Sequence, residues 1–140
     1  MNLRGLDPRF RPMAESFVRD FTASAPMYRV TSTRRTFSEQ AHLYADFTSG
    51  RQTLPAVPPG TSDHEFGLAF DMAAPGTEPF GDTYLEAAGE EWKRRGGRWS
   101  SRDPVHFAAP AGLRRGASTG LMARPSRPAR LRRRRSRRRS

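Results

Sequence analysis

Apolar side chains recur at helical spacing in two segments between residues 12 and 50. The first is residues 12–23, which begins with Pro12, a residue that suits the first turn of a helix. In the second, Thr36 and Glu39 have the spacing of a capping box, and Gly50 marks the expected end. The apolar positions of the two helices are Met13, Phe17, Val18 and Phe21, then Ala41, Leu43, Tyr44 and Phe47. We therefore predict two amphipathic helices here.

A third amphipathic helix is predicted over residues 83–95. Asp82 is a favourable N-cap residue, and Gly96 is typical of the position just past the end of a helix. The side chains that we expect to face the core are Leu85, Ala88 and Trp92. Of these, Trp92 is the largest, and we expect it to be mainly a core residue.

Three short segments have the pattern of β-strands. Residues 28–32 and 105–107 are rich in β-branched and aromatic side chains. In residues 67–72, alternate positions face opposite sides of the predicted strand. The apolar set is Leu68, Phe70 and Met72, and the other set is Gly67, Ala69 and Asp71. Because Asp71 shares its face with two minimal side chains, there is space beside its carboxylate.

These elements predict one α+β domain over residues 1–112, with helices packed on a small antiparallel sheet. Residues 52–63 contain three prolines and one glycine, so we predict a loop that leads into His64. From residue 113 onward the apolar pattern ends. We expect residues 113–140 to be a disordered tail, because they bury too little apolar surface to offset the entropy of ordering.

The charge of the chain is concentrated in this tail. Residues 113–140 contain 12 Arg and no acidic residue. The whole chain has 25 Lys and Arg against 14 Asp and Glu, so the rest of the chain has nearly equal numbers of basic and acidic residues. The sequence pI of about 11.5 therefore describes the tail, whereas the domain is close to neutral. This distribution argues against a basic, nucleic-acid-binding folded surface.

Cysteine is absent, which excludes disulfides and thiolate ligands, so a metal site would have to use histidine and carboxylate. His64 and Asp71 lie seven residues apart, and His106 follows with Asp103 just before it. Three such ligands leave a fourth zinc position open, as in catalytic rather than structural zinc sites. By spacing alone, each residue could equally be structural. His64 could be a loop histidine, Asp71 a strand-end carboxylate and His106 a half-buried histidine.

Three blocks of the sequence resemble a known family. Residues 62–71 (SDHEFGLAFD) match the SxHxxGxAxD signature of the D-alanyl-D-alanine carboxypeptidase and phage-endolysin metallopeptidases, the VanY-like group. Residues 96–99 with 103–107 are similar to its closing block, and residues 30–44 to its first block. The resemblance implies a Hedgehog/DD-peptidase-like fold and zinc-dependent hydrolysis of amide bonds in the peptides of bacterial peptidoglycan.

The same resemblance implies roles for single residues. His64, Asp71 and His106 would bind one Zn²⁺ per chain, and Asp103 would act as the general acid and base. Arg35 would hold the scissile carbonyl oxygen or a substrate carboxylate, with its neighbour Arg34 as the alternative for the inward-pointing arginine. The further substrate contact would be Ser62. The third histidine, His42, is expected to be a solvated helix residue, and Trp99 either packs in the core or forms a wall of the cleft.

One departure from the family pattern concerns the closing block, which commonly reads HFE and here reads His106-Phe107-Ala108. Ala108 thus removes a potential partner for a metal ligand. The sequence between Asp71 and Gly96 is also short for a specificity loop. Both departures bear on the substrate more than on the metal.

Within the family, we expect an endolysin-type L-alanyl-D-glutamate endopeptidase, with a D,D- or L,D-carboxypeptidase as the alternative. No apolar run of signal-peptide or membrane-spanning length is visible. We expect a protein that is made in the cytoplasm and acts at the cell wall after release or as part of a virion. We also expect it to be a monomer. Rival interpretations are a non-catalytic wall-docking protein and a nucleic-acid-binding protein acting through the tail. The tail could also contact anionic polymers of the cell envelope.

Overall fold

The computed structural model describes residues 2–113, so the disorder predicted for the Arg-rich tail concerns residues that lie, apart from Leu113, outside the described part of the chain. The described residues form an α+β fold with three α-helices and a three-stranded antiparallel sheet, as predicted. The helices are α1 (Arg11–Ser24), α2 (Phe37–Thr48) and α3 (Thr83–Arg94), and the strands are β1 (Arg29–Ser32), β2 (Ala69–Ala73) and β3 (His106–Ala108). None of the helices in residues 2–113 is long and apolar enough to cross a membrane.

The central strand β2 separates the core from the candidate site. It pairs with β1 on one side and β3 on the other, so the strand order is β1-β2-β3. Phe70 lies opposite Phe107, and Asp71 lies opposite both His106 and Ser32. Successive side chains of a strand point to opposite faces. The phenylalanines therefore face the core, while Asp71 and His106 face the other side of the sheet together.

The core is built from aromatic rings contributed by helices and strands. Phe17 of α1 lies 4.9 Å from Trp92 of α3 between ring centroids, and 5.6 Å from Phe107 of β3. Phe70 stacks on Phe107 at 5.3 Å. Rings at these separations add to the stabilisation that comes from burying their area. They also fix the two strands that carry Asp71 and His106 against the helices.

Residues 2–10 form an N-terminal segment that packs into this core, which the sequence analysis did not predict. Leu3, Leu6 and Phe10 are almost completely buried. The segment is made of turns, so its apolar residues follow neither the helical nor the strand period. The Nη2 atom of Arg11 donates to the carbonyl oxygen of Leu6 at 3.4 Å, which ties the segment to the start of α1.

The ends of the helices agree with the sequence analysis, but the packing of α2 does not. Both hydrogen bonds of the predicted capping box between Thr36 and Glu39 are formed, and Asp82 caps α3. In α2, however, Gln40 is the only buried residue, and the apolar Phe37 and Phe47 are exposed. The helix therefore lies at the edge of the fold with one polar side chain directed inward.

Candidate active site

A short 3-10 turn, Asp63–Phe66, places His64 at the site. The hydroxyl of Ser62 accepts a hydrogen bond from the backbone N–H of His64, and the carboxylate of Glu65 accepts one from the backbone N–H of Ser62. Glu65 also accepts a bond from the N–H of Gly60 in the preceding loop. These contacts explain the local sequence, since a Ser and a Glu three residues apart form a capping box. Ser62 thus orients His64, and its predicted substrate contact stays a prediction.

Gly67 ends this turn in a backbone conformation that other residues rarely adopt. Its φ angle is 71°, in the left-handed region, and its carbonyl accepts the N–H of Asp7 at 2.9 Å. A Cβ atom at this position would lie 2.8 Å from the nitrogen of Asp7 and 2.9 Å from the oxygen of Gly5. The glycine of the signature is therefore required by its φ angle and by the N-terminal segment packed against it.

Three electron-pair donors converge between β2, β3 and the 3-10 turn. Nε2 of His64 lies 3.0 Å from Oδ1 of Asp71 and 3.2 Å from Nδ1 of His106. Nδ1 of His106 lies 3.4 Å from the same Asp71 oxygen. Ligand atoms bound tetrahedrally to zinc at 2.0–2.1 Å are about 3.3 Å apart. The separations of the donor atoms therefore fit a zinc ion, and among residues 2–113 this is the one group of His, Asp or Glu side chains that could hold a metal ion.

The hydrogen bonds of His64 define which of its nitrogens is available. Its Nδ1 lies 2.6 Å from the carbonyl oxygen of Thr33, so this nitrogen carries the proton and donates it. In the neutral ring, Nε2 is then unprotonated and faces Asp71 and His106. A carbonyl that fixes the tautomer of a histidine in this way is a usual feature of metal ligands. Thr33, which the sequence analysis did not single out, gives the clearest sign that His64 is prepared for a cation.

Arg35, rather than Arg34, points into the site. Its Nη2 donates to Oδ2 of Asp71 at 2.8 Å, and its Nη1 donates to the side-chain oxygen of Gln40 at 3.3 Å. Arg34 is exposed. The backbone N–H of Arg35 also donates to the carbonyl of His64 at 3.0 Å. Arg35 thus holds one oxygen of Asp71 and leaves the other, Oδ1, facing the two histidines.

The pKa values of the carboxylate and one histidine are shifted in opposite directions. Burial opposes ionisation of Asp71, but the hydrogen bonds and charges of His106 and His64 in their protonated forms outweigh it, so the pKa of Asp71 is lowered. Burial likewise opposes protonation of His106, but the hydrogen bond and charge of Asp71 raise its pKa, helped by the charges of Asp103 and Asp63. Asp71 is therefore ionised at neutral pH, which a metal-ligating carboxylate has to be.

Asp103 lies in the same cleft, three residues before His106. Its backbone carbonyl accepts the N–H of His106 at 3.0 Å, so a single turn links the two side chains. Burial raises the pKa of Asp103 to about 6, and the charge of Asp71 adds to the effect, while His106, His64 and Arg35 oppose it. A carboxyl with a pKa near the working pH can both accept and return a proton.

The cleft has a volume of about 540 Å³ and contains every residue predicted for the site. The predicted residues that line it are Arg35, Ser62, His64, Asp71, Asp103 and His106.

His42 is exposed on α2 outside the cleft. Trp99 packs against α3, where a Cβ on Gly89 would lie 2.1 Å from its ring, and does not line the cleft. Sequence analysis included Gln40 in the first block of the resemblance but assigned it no role, and its position inside the capping-box helix gave no sign of burial.

The departure at Ala108 leaves the surrounding backbone intact. Ala108 is buried, and its carbonyl accepts hydrogen bonds from Nε1 of Trp92 at 2.9 Å and from the N–H of Arg98 at 3.0 Å. The strand that carries His106 is thus held through main-chain contacts that do not depend on the side chain at position 108. His106 keeps its place beside Asp71 with an alanine there.

Residues 4–102 of the chain match the family model described as VanY: D-alanyl-D-alanine carboxypeptidase. The chain belongs to this family. The match ends just before Asp103 and His106, so the geometry of the cleft is what connects these two residues with His64 and Asp71. A search of curated proteins finds no significant match.

Solved structures of VanY-like proteins share the fold. The D,D-pentapeptidase VanY E175A mutant from a VanB-type resistance cassette, in complex with Zn(II), has a TM-score of 0.52 and 23% identity over 81% of this chain and 76% of that chain. VanYB in complex with D-alanine-D-alanine has a TM-score of 0.52 and 22% identity, covering 74% and 71%. The LD-carboxypeptidase LdcB has a TM-score of 0.55 and 15% identity over 74% of this chain, which spans 58% of LdcB.

Proposed function

We propose that this VanY-family chain is a zinc-dependent peptidase that hydrolyses an amide bond in the stem peptides of peptidoglycan. The observation that carries the proposal is the convergence of three donor atoms, 3.0 to 3.4 Å apart, from His64, Asp71 and His106. Their spacing and chemistry suit one zinc ion per chain. Zinc in such a site acts as a Lewis acid toward a carbonyl oxygen and lowers the pKa of bound water to about 7.

The neighbouring side chains would handle the proton and the charge of the substrate. Asp103, with a pKa raised to about 6, would take a proton from the attacking water and return it to the leaving amine. Such a group contributes roughly 10²–10⁴-fold to the rate. Arg35 keeps Asp71 in place and adds positive charge where the carbonyl oxygen becomes negative. Ser62 lines the cleft beside His64, within reach of a bound peptide.

The lining of the cleft supports cleavage within a peptide, namely the L-alanyl-D-glutamate endopeptidase reaction. A carboxypeptidase must bind a terminal carboxylate, for which an arginine fork is the usual partner. Among residues 2–113, Arg35 is the only Lys or Arg that lines the cleft, and its charge is paired with Asp71. A second groove of about 720 Å³ adjoins the cleft at Arg35 and gives a peptide room to continue.

A D,D- or L,D-carboxypeptidase is the second candidate. The description of the family favours it, as do the activities named for VanY and LdcB. In that reaction Arg35 would have to turn from Asp71 to the terminal carboxylate, or share its five N–H groups between them. The two reactions yield different products, so one experiment separates them.

The test is mass spectrometry of purified peptidoglycan after incubation with zinc-loaded protein, beside an EDTA-treated sample. An endopeptidase releases fragments with a new amino terminus at glutamate, whereas a carboxypeptidase releases a single terminal amino acid.

Asp103→Asn should lower turnover by about 10²–10⁴-fold and still bind zinc. Asp46→Asn, which alters an exposed pair with Arg51, is the matched control and should cleave normally. Intact peptidoglycan despite bound zinc would leave a wall-docking protein as the explanation.

A further inference from the structure

One side chain in the cleft wall, Gln40, has no part in the proposed chemistry and yet is almost fully buried. It is 1% exposed and is the only buried residue of α2. Burying an amide is costly unless both its oxygen and its nitrogen find partners. The helix could have directed an apolar residue inward at no such cost. The polar groups of Gln40 therefore call for an explanation beyond packing.

Both the oxygen and the nitrogen of the Gln40 amide have hydrogen-bond partners, and these partners allow only one orientation of the amide. Its Nε2 donates to the carbonyl oxygen of Val57 at 2.9 Å, and its Oε1 accepts from Nη1 of Arg35 at 3.3 Å. A carbonyl can only accept and a guanidinium can only donate, so the amide cannot be flipped without losing both bonds. The orientation of Gln40 follows from its partners.

These two bonds connect two separate segments of the chain that line the cleft. Val57 belongs to the proline-rich loop of residues 52–61, whose apolar side chains line one side. Arg35 carries the connection onward through its Nη2, which donates to Oδ2 of Asp71 at 2.8 Å. A continuous series of hydrogen bonds thus runs from the loop, through Gln40 and Arg35, to the carboxylate that faces the two histidines.

We propose that Gln40 is a positioning residue that sets both the orientation of Asp71 toward the metal and the place of the proline-rich loop on the substrate. This inference rests on the proposed zinc peptidase function. The bond to Nη1 fixes the plane of the guanidinium, so that Nη2 stays on Oδ2 and Oδ1 stays free for the metal. The bond to Val57 holds the loop at the width that the substrate requires. Outer partners of metal ligands typically contribute 10–100-fold to metal affinity.

Two substitutions separate the two bonds. Gln40→Met keeps the size of the side chain and removes both bonds, so we expect zinc affinity to fall about tenfold and turnover to fall with it. Gln40→Glu keeps an acceptor for Arg35 but places an oxygen against the carbonyl of Val57. Its zinc affinity should be no weaker than that of the wild type, while KM should rise several-fold. The control Gln52→Met removes only a loop bond, from Nε2 of Gln52 to Leu54, and should leave zinc affinity unchanged.

Zinc affinity is measured by competition with a chromogenic chelator, and kcat and KM are measured separately on a soluble peptidoglycan fragment. Wild-type affinity in Gln40→Met would overturn the inference, as would a tenfold loss in Gln40→Glu. The zinc affinity of Gln40→Glu still tests the inference if Gln40→Met shows no cooperative thermal unfolding. A wild-type protein that binds no zinc would overturn the proposed function together with this inference. Zinc binding without cleavage would overturn the peptidase alone.

Discussion

At the scale of single residues, the geometry of the site is set by the partners of its candidate metal ligands. Thr33 fixes the tautomer of His64, and Arg35 occupies one oxygen of Asp71. Both partners come from the segment that follows β1, and its backbone also binds His64 through the N–H of Arg35. The candidate ligands are therefore held in place by protein contacts before any cation arrives. A site organised in advance in this way loses little entropy on binding.

Asp103 gives a prediction about pH in the metal-free protein. Because folding raises its pKa from 3.8 to about 6, the folded state binds this proton more tightly than the unfolded state. The stabilisation is complete below about pH 4 and is lost as the pH rises through about 6. Asp103→Asn, which cannot ionise, should therefore become more stable than the wild type above pH 6, by about 3 kcal/mol.

Urea unfolding in EDTA at pH 4 and pH 7 measures this difference. The raised pKa of His106 also makes stability fall with rising pH, but it is present in both proteins and largely cancels in the comparison. The same difference in stability between the two proteins at both pH values would show that Asp103 is not buried as described.

At the scale of elements, the turn after His64 depends on Gly67, and this dependence can be measured against a second glycine. Gly67→Ala should destabilise the fold by about 3 kcal/mol or more, because it adds a strained φ angle and a clash with the N-terminal segment. Gly76 has a similar φ of 79°, and a Cβ added there would meet nothing within 4 Å, so Gly76→Ala should cost about 1 kcal/mol. Chemical denaturation of both variants compares them directly. Equal losses would mean that contact with the N-terminal segment contributes nothing.

The elements that sequence could predict are those with a local signal. The capping box at Thr36 and Glu39 and the cap at Asp82 marked the starts of α2 and α3, and strand alternation placed Phe70 in the core and Asp71 in the site. The site residues came from a motif resemblance as well as from residue type. Packing between distant segments has no such local signal, which is why the N-terminal segment and the burial of Gln40 were missed.

At the scale of the whole molecule, the separation of charge predicts that hydrolysis and polyanion binding are independent. A chain ending at Leu113 loses 12 Arg and keeps every residue of the cleft. We expect the full chain to bind nucleic acid or anionic wall polymers in a salt-dependent way, and the truncated chain to lose this binding and to cleave soluble peptidoglycan fragments at the wild-type rate. Cosedimentation with teichoic acid and with DNA at two salt concentrations measures the second property. A truncated chain that no longer cleaves fragments would contradict this separation.

The spread of the donor atoms along the sequence has a consequence for the order of events during folding. His64 and Asp71 lie on either side of Gly67, but His106 reaches them only when β3 has paired with β2, across a separation of 35 residues from Asp71. A chain in which β3 has not yet paired with β2 therefore offers two donors at most, and the third arrives with that strand. Zinc would then bind late in folding. It would mainly lower the unfolding rate and would have little effect on the folding rate.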